Sequence, residues 1–121
     1  MLRINSPVRV SRRKEQEKMM KGYQKQYLKG IAHKMKPTVF IGQKGLPPSV
    51  VDAVEVSLEK HELIKVKFID FKEKGSKQEI AGRLENETGA TLVGMIGHIA
   101  IFYRPQKDPK KQKIHLPEKK P

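Results

Sequence analysis

The chain has 121 residues, with 26 Lys and Arg against 13 Asp and Glu, and a formal net charge of +13 at pH 7. It contains no cysteine, which excludes disulfides, a Cys-ligated zinc site, an iron–sulfur cluster and a thiol nucleophile. No apolar run is long enough to span a bilayer, and the length suits one domain. The positive charge points to a polyanionic partner, either nucleic acid or an anionic membrane surface.

The charge divides the chain into two arms and a body. Residues 1–14 are Arg-rich and residues 106–121 are rich in Lys and Pro, which predicts a flexible basic arm and a flexible tail. In the body, residues 15–105, the charges are segregated, because no acidic residue lies between Glu17 and Asp52. Such segregation suits a one-sided anion-binding surface, although a block of like charge is often only a solvated face.

The first predicted element is a helix from about Glu15 to Met35. Apolar side chains recur along it at spacings of three and four, which is typical of a helix with one buried face. Lysines at positions 14, 18, 21, 25 and 29 share that spacing and form a separate basic stripe. Pro37 ends the helix. The stripe favours an anion-binding surface over a merely solvated one.

A strand, a second helix and a second strand are predicted next. Residues 38–41 are apolar and mostly β-branched, which predicts a buried strand. Pro47-Pro48 suits the first turn of a helix that runs to about His61. Residues 63–69 alternate apolar and basic side chains, which predicts a strand with one buried face.

The last predicted elements are a third helix and a hairpin. Ser76 with Glu79 three residues later forms a capping box that begins the helix, and Gly89 follows its end at Thr88. The hairpin strands are 90–96 and 99–103, joined at the tight turn Gly97-His98. The order α-β-α-β-α-β-β predicts a single compact α/β domain with a mixed sheet.

The loop Gly42-Gln43-Lys44-Gly45 lies between a predicted strand and a helix N-terminus. Glycines allow a ligand to approach the backbone closely, and the N–H groups and the helix dipole favour an anion such as phosphate. A GxxG loop clamps the nucleic-acid backbone in KH domains. The pattern alone is weak, because a second GxxG occurs at 94–97, so a plain turn remains an equal alternative.

The aromatic and titratable residues point away from base stacking and catalysis. Tyr23, Tyr27, Phe40 and Phe68 fall on predicted apolar faces, so we expect them to pack in the core. The histidines have no metal-ligand spacing, and no nucleophile–base pair is evident. We therefore expect no metal, no cofactor and no enzyme activity, and contacts to a nucleic-acid backbone rather than to its bases.

Several motifs in register resemble the CRM domain. They are YLKGIAH at 27–33, KPTVFIGQKGL at 36–46, HELIKVK at 61–67, ETGA at 87–90, IGH at 96–98 and YRP at 103–105. The resemblance covers about residues 20–105. A single CRM domain standing alone is similar to the bacterial YhbY family. One departure is Pro47-Pro48, where relatives often place a Thr or Ser cap.

The resemblance implies a fold similar to the C-terminal domain of translation initiation factor three. It also implies RNA binding through the GxxG loop and the neighbouring basic surface. Bacterial members are associated with precursors of the large ribosomal subunit, whereas plant relatives with repeated CRM domains serve organellar intron splicing. The single domain here fits the bacterial role better.

The sequence thus predicts a monomeric, cytoplasmic RNA-binding protein that acts with precursor rRNA of the large subunit and with ribosomal particles. An intron-splicing or general RNA-binding factor of the CRM class is the alternative. A peripheral binder of anionic membranes is disfavoured, because the sheet would cover the apolar face of the first helix. The candidate RNA-binding residues are Gly42, Gln43, Lys44, Gly45, Lys21, Lys25, Lys29, Lys34, Lys36 and Arg104.

Overall fold

The computed structural model describes residues 20–42, 46–69 and 74–118. Within them lie three α-helices, four strands and one short 3₁₀ turn. The helices are α1 (Gly22–His33), α2 (Pro48–His61) and α3 (Lys74–Thr88), the strands are β1 (Val39–Ile41), β2 (Leu63–Phe68), β3 (Thr91–Ile96) and β4 (Ile99–Tyr103), and the 3₁₀ turn is Pro109–Lys111. The predicted order α-β-α-β-α-β-β and the α/β class are confirmed.

The four strands form one mixed sheet in the order β1-β2-β4-β3. β1 pairs with β2 in parallel, with α2 as the crossover between them, whereas β4 pairs antiparallel with both β2 and β3. The β3–β4 hairpin turns at Gly97, whose φ of +60° suits glycine. The register shifts between Leu92 and Gly94, where a β-bulge bends the strand.

The sheet has a fully covered face and a partly covered face. On the first, α2 and α3 pack over Val66, Phe68 and Phe102 with side chains such as Val54 and Leu84. On the second, α1 packs over the sheet and contacts β2 and β3. Its buried side chains, Leu28 and Ala32, lie against a second cluster formed by Leu63, Val93, Ile101 and Tyr103. Within the described residues, α1 is thus the one helix on this face of the four-stranded sheet.

Two helix starts differ from those expected. α1 begins at Gly22 after an extended N-cap residue, Lys21, whose backbone N–H donates to the Gln24 side chain, so Met20 and Lys21 are not helical. The predicted helical residues 15–19 lie outside the described residues. α3 begins at Lys74, so Ser76 lies inside the helix and does not cap it. Gly75 is tolerated there, since glycine costs a helix only about 1 kcal/mol.

The segment after β4, which belongs to the tail predicted from residue 106, contacts the domain. Residues 106–118 run along the domain, and two of their apolar side chains, Ile114 and Leu116, pack against the cluster beneath α1. Tyr23 donates its hydroxyl to the Glu118 carbonyl. The Lys/Pro-rich composition gives little sign of these contacts, because Ile114 and Leu116 are the only large apolar residues among the 16 residues 106–121.

Glu62 anchors this C-terminal segment. Its carboxylate is fully buried and accepts backbone N–H groups from Gln106 at 2.7 Å, Lys113 at 2.8 Å and Ile114 at 3.0 Å. Its φ of +62° lies where L-residues are strained. The three hydrogen bonds thus stabilise both the buried carboxylate and the uncommon backbone conformation of Glu62.

Tyr103 should make the stability of the domain fall at alkaline pH. Burial first, and then the Glu62 carboxylate, raise the pKa of Tyr103 from 10.0 to about 12. The folded protein therefore keeps this proton where the unfolded chain loses it. The stability that depends on the protonated Tyr103 is complete below pH 10 and is lost as the pH rises towards 12. The loss lowers the free energy of unfolding by about 2–3 kcal/mol. Urea unfolding at pH 9 to 11.5 should show a shallower pH dependence for Tyr103→Phe; identical slopes would contradict the assignment.

Candidate functional site

Lysines gather on the α1 side of the sheet. Lys25 and Lys29 project from α1, while Lys65 and Lys67 alternate with buried Leu63 along β2 and so face the same side. Lys21, Lys34 and Lys36 stand exposed at the two ends of the helix. We call these seven residues the lysine face: Lys21, Lys25, Lys29, Lys34, Lys36, Lys65 and Lys67. Lys14 and Lys18 of the predicted stripe lie outside the described residues.

The sheet separates charges of opposite sign. Residues 20–42 carry five lysines and no acidic residue, and no strand contains an acidic residue. α2 and α3, on the opposite side, carry six acidic residues against four Lys and Arg. The field over the lysine face is therefore positive, which suits a polyanion and raises its association rate.

The side chain of Lys29 packs closely against the edge strand β3. A Cβ built on Gly94 would lie 2.6 Å from the Lys29 Cε and 3.2 Å from its Nζ. The absence of a side chain at Gly94 thus lets the lysine stem cross the strand. The second GxxG match, 94–97, therefore has structural explanations at both its glycines, since Gly97 forms the hairpin turn.

Lys65 combines a structural and an electrostatic role. Its ammonium donates to the Met35 carbonyl at 2.9 Å, just after α1, which ties the end of the helix to β2. Lys65 and Lys67 are not among the RNA-binding residues predicted from the sequence. The alternation of basic and apolar side chains in the strand was the signal that could have found them.

The flanks of the GQKG loop have the expected context. β1 ends at Ile41, Gly42 is exposed, Leu46 is buried, and α2 begins at Pro48. Gln43, Lys44 and Gly45 lie outside the described residues. The loop therefore joins a strand to a helix N-terminus, at the end of the sheet where β1 stops.

Arg104 lies away from the lysine face. Its Nη1 donates to the Glu55 carboxylate and to the Thr88 carbonyl, both at 2.7 Å, and its backbone N–H donates to the Glu62 carbonyl. It thus joins α2, the end of α3 and the chain after β4. Its guanidinium is already engaged, so we do not include it in the proposed RNA-binding surface.

Two aromatic side chains expected in the core are at the surface. Phe68 is buried as expected, but Phe40 is 52% exposed and Tyr27 is 44% exposed. Phe40 lies between Val39 and Ile41, which point into the core beneath α2 and α3, so its own ring must point to the α1 side. Since α1 packs on β2 and β3, about half of the Phe40 side chain remains open to solvent.

Metal and membrane signatures are not found in the described parts of the chain. No group of three or more His, Cys, Asp or Glu side chains there could hold a metal ion. None of the helices in these parts is both long and apolar enough to cross a membrane.

Comparison with known proteins gives consistent matches. Residues 20–104 match the CRS1/YhbY (CRM) domain model. An RNA-binding protein of Haemophilus influenzae is 44% identical over 96 residues, covering 79% of this chain and 93% of the relative. The Bacillus subtilis probable RNA-binding protein YqeI is 31% identical over 99 residues, covering 82% of this chain and 100% of the relative.

A solved structure has the same fold. The hypothetical protein SAV1595 from Staphylococcus aureus superposes with a TM-score of 0.68 at 34% identity, covering 82% of this chain and 100% of that one. Sequence and structure therefore agree over the same region, and the chain belongs to the CRS1/YhbY (CRM) domain family.

Proposed function

We propose that this protein binds RNA through the lysine face and the GQKG loop, and that it acts in assembly of the large ribosomal subunit. The observation that carries the proposal is the separation of charge across the sheet. The lysine face lies on the side of the sheet that carries α1, whereas the acidic residues of α2 and α3 lie on the opposite side. Lysine ammonium groups neutralise phosphates and release condensed counterions, which supplies affinity independently of sequence.

The GQKG loop adds a local phosphate site next to this face. Pro47 and Pro48 have no N–H, so the start of α2 has fewer donors than most helix N-termini. The amides of Gly42, Gln43, Lys44 and Gly45 would therefore supply most of the hydrogen bonds. Lys44 would add a full charge. This arrangement resembles the backbone clamp of other GxxG loops.

Assembly of the large subunit is the role that the family resemblance favours for a single-domain member. The relatives are named as RNA-binding proteins, which supports RNA as the ligand here. We propose a non-catalytic, monomeric, cytoplasmic protein that binds precursor rRNA within ribosomal particles. A membrane-binding role is disfavoured, because the apolar side chains of α1, Leu28 and Ala32, are buried against the sheet and cannot insert into lipid.

Sedimentation of a cell lysate through a sucrose gradient tests this role. The protein should co-sediment with large-subunit precursors, and crosslinking should recover precursor rRNA. Recovery of intron-containing transcripts instead would favour the splicing alternative. Migration at the top of the gradient, without crosslinked RNA, would contradict the proposal.

A further inference from the structure

A row of four side chains crosses the sheet beside α1. Phe40 of β1 is opposite Lys67 of β2, Lys67 is opposite Ile99 of β4, and Ile99 is opposite Ile96 of β3. Because opposite residues point to the same face of a sheet, all four project to the side that carries α1. We call this set the sheet row: Phe40, Lys67, Ile99 and Ile96.

The sheet row is open to solvent. Ile96 is 62% exposed and Phe40 52% exposed, while Lys67 is exposed and Ile99 is half-buried. α1 lies over the adjacent rows, where it buries Leu63 and Ile101. Ile96 and the half-buried Ile99 are neighbours, and Lys67 separates them from Phe40. The described chain therefore leaves apolar surface partly exposed on both sides of a lysine. Exposed apolar side chains grouped in this way mark a binding site more often than scattered single residues do.

The charges around the row favour RNA over a protein partner. Lys67 lies inside the row, and the ammonium of Lys29 lies over Gly94 of the neighbouring row. Lysine is depleted in the centres of protein–protein interfaces, whereas lysine beside an exposed aromatic ring is typical of single-stranded nucleic-acid sites. The strands contribute no acidic residue that would repel phosphate.

We propose that the sheet row binds a single-stranded segment of RNA, with a base stacked on Phe40. Ile96 and Ile99 would contact neighbouring bases or sugars, while Lys67 and Lys29 would contact phosphates. Phe40 is two residues before Gly42, so a strand clamped at the GQKG loop would continue onto the row. A base in a duplex is already stacked and cannot lie on the ring. The inference rests on the proposed RNA binding and specifies that part of the ligand is single-stranded.

Fluorescence anisotropy with two labelled RNAs tests the inference. One probe is a single-stranded 12-mer of mixed sequence, and the other is a blunt-ended 12-base-pair duplex without unpaired bases. Phe40→Ala should weaken binding of the single strand about 5- to 100-fold, the range found for loss of one stacked base. Duplex binding and the salt dependence of both should stay unchanged, because no phosphate contact is removed. Phe40→Trp should restore single-strand affinity.

The controls separate this inference from the function on which it depends. Val56→Ala, on α2, removes a comparably exposed apolar side chain (54% exposed) from the opposite side and should change neither affinity. If the wild-type protein binds neither RNA, the proposed function itself fails. If the wild-type protein binds RNA and Phe40→Ala leaves both affinities unchanged, or lowers both by the same factor, the stacking site alone is overturned. The stacking site is also overturned if the wild-type protein is a dimer in sedimentation equilibrium and Phe40→Ala dissociates it.

Discussion

Replacing Glu62 by alanine is expected to lower the free energy of unfolding by about 3 kcal/mol. The carboxylate is fully buried and accepts the backbone N–H groups of Gln106, Lys113 and Ile114. An N–H buried without an acceptor costs about 1–3 kcal/mol. If the C-terminal segment detaches from the domain, water can accept hydrogen bonds from these N–H groups and part of that cost is avoided. The domain then loses the apolar contacts of Ile114 and Leu116 as well.

Urea unfolding and amide hydrogen exchange measure the two parts of this effect. The amides of Lys113 and Ile114 should lose protection in Glu62→Ala, because the segment that carries them is released. Glu62→Gln keeps one carbonyl acceptor, so its loss of stability should be intermediate. Glu59→Ala removes an exposed carboxylate from the same end of α2 and should be nearly neutral. Full stability with both amides still protected in Glu62→Ala would contradict the anchoring role.

Reversing the charge of Lys25 and Lys29 together is expected to weaken RNA binding about 10- to 100-fold near 0.1 M salt. Both lysines project from α1 on the lysine face, and the four-unit change in charge adds repulsion to the lost phosphate contacts. The slope of log K against log salt should become shallower by about two. Filter binding between 50 and 300 mM salt measures both quantities.

The tail offers a matched control for this variant. Lys110 and Lys111 lie exposed on the 3₁₀ turn, near Lys60 and Glu59 of α2. Reversing their charge changes the net charge by the same amount at a different place. We expect a much smaller loss of affinity and an almost unchanged slope. Equal losses in the two double variants would mean that binding depends on net charge alone and not on the lysine face.

Local pattern predicted most of the fold correctly. The β-branched run ending at Ile41, the alternation from Leu63 to Phe68 and the stop at Gly89 each specify an element through side-chain periodicity or backbone geometry. Helix starts were less predictable. A capping-box pattern at Ser76 and Glu79 occurs inside a helix as readily as at its start, since serine and glutamate are both tolerated there.

The site was less predictable, because it depends on which surfaces remain uncovered. Phe40 follows the same apolar pattern as its buried neighbours Val39 and Ile41, and only the placement of α1 leaves its ring exposed. The sequence predicted Arg104 as an RNA-binding residue, and its ion pair with Glu55 depends on the fold, because the two residues are far apart in the sequence. The contact between Glu62 and the C-terminal segment was likewise not predictable from composition, because Glu62 and Gln106 are 44 residues apart in sequence.

The most direct test of the central claim is a titration of ¹⁵N-labelled protein with single-stranded RNA, followed by amide chemical shifts. We predict that the shifts concentrate on α1, β1, β2 and the residues around Gly42. Amides on the outer surface of α2 and α3 should stay unchanged, because that side carries the acidic residues. Shifts centred on α2 and α3, with α1 and the sheet row unaffected, would contradict the account.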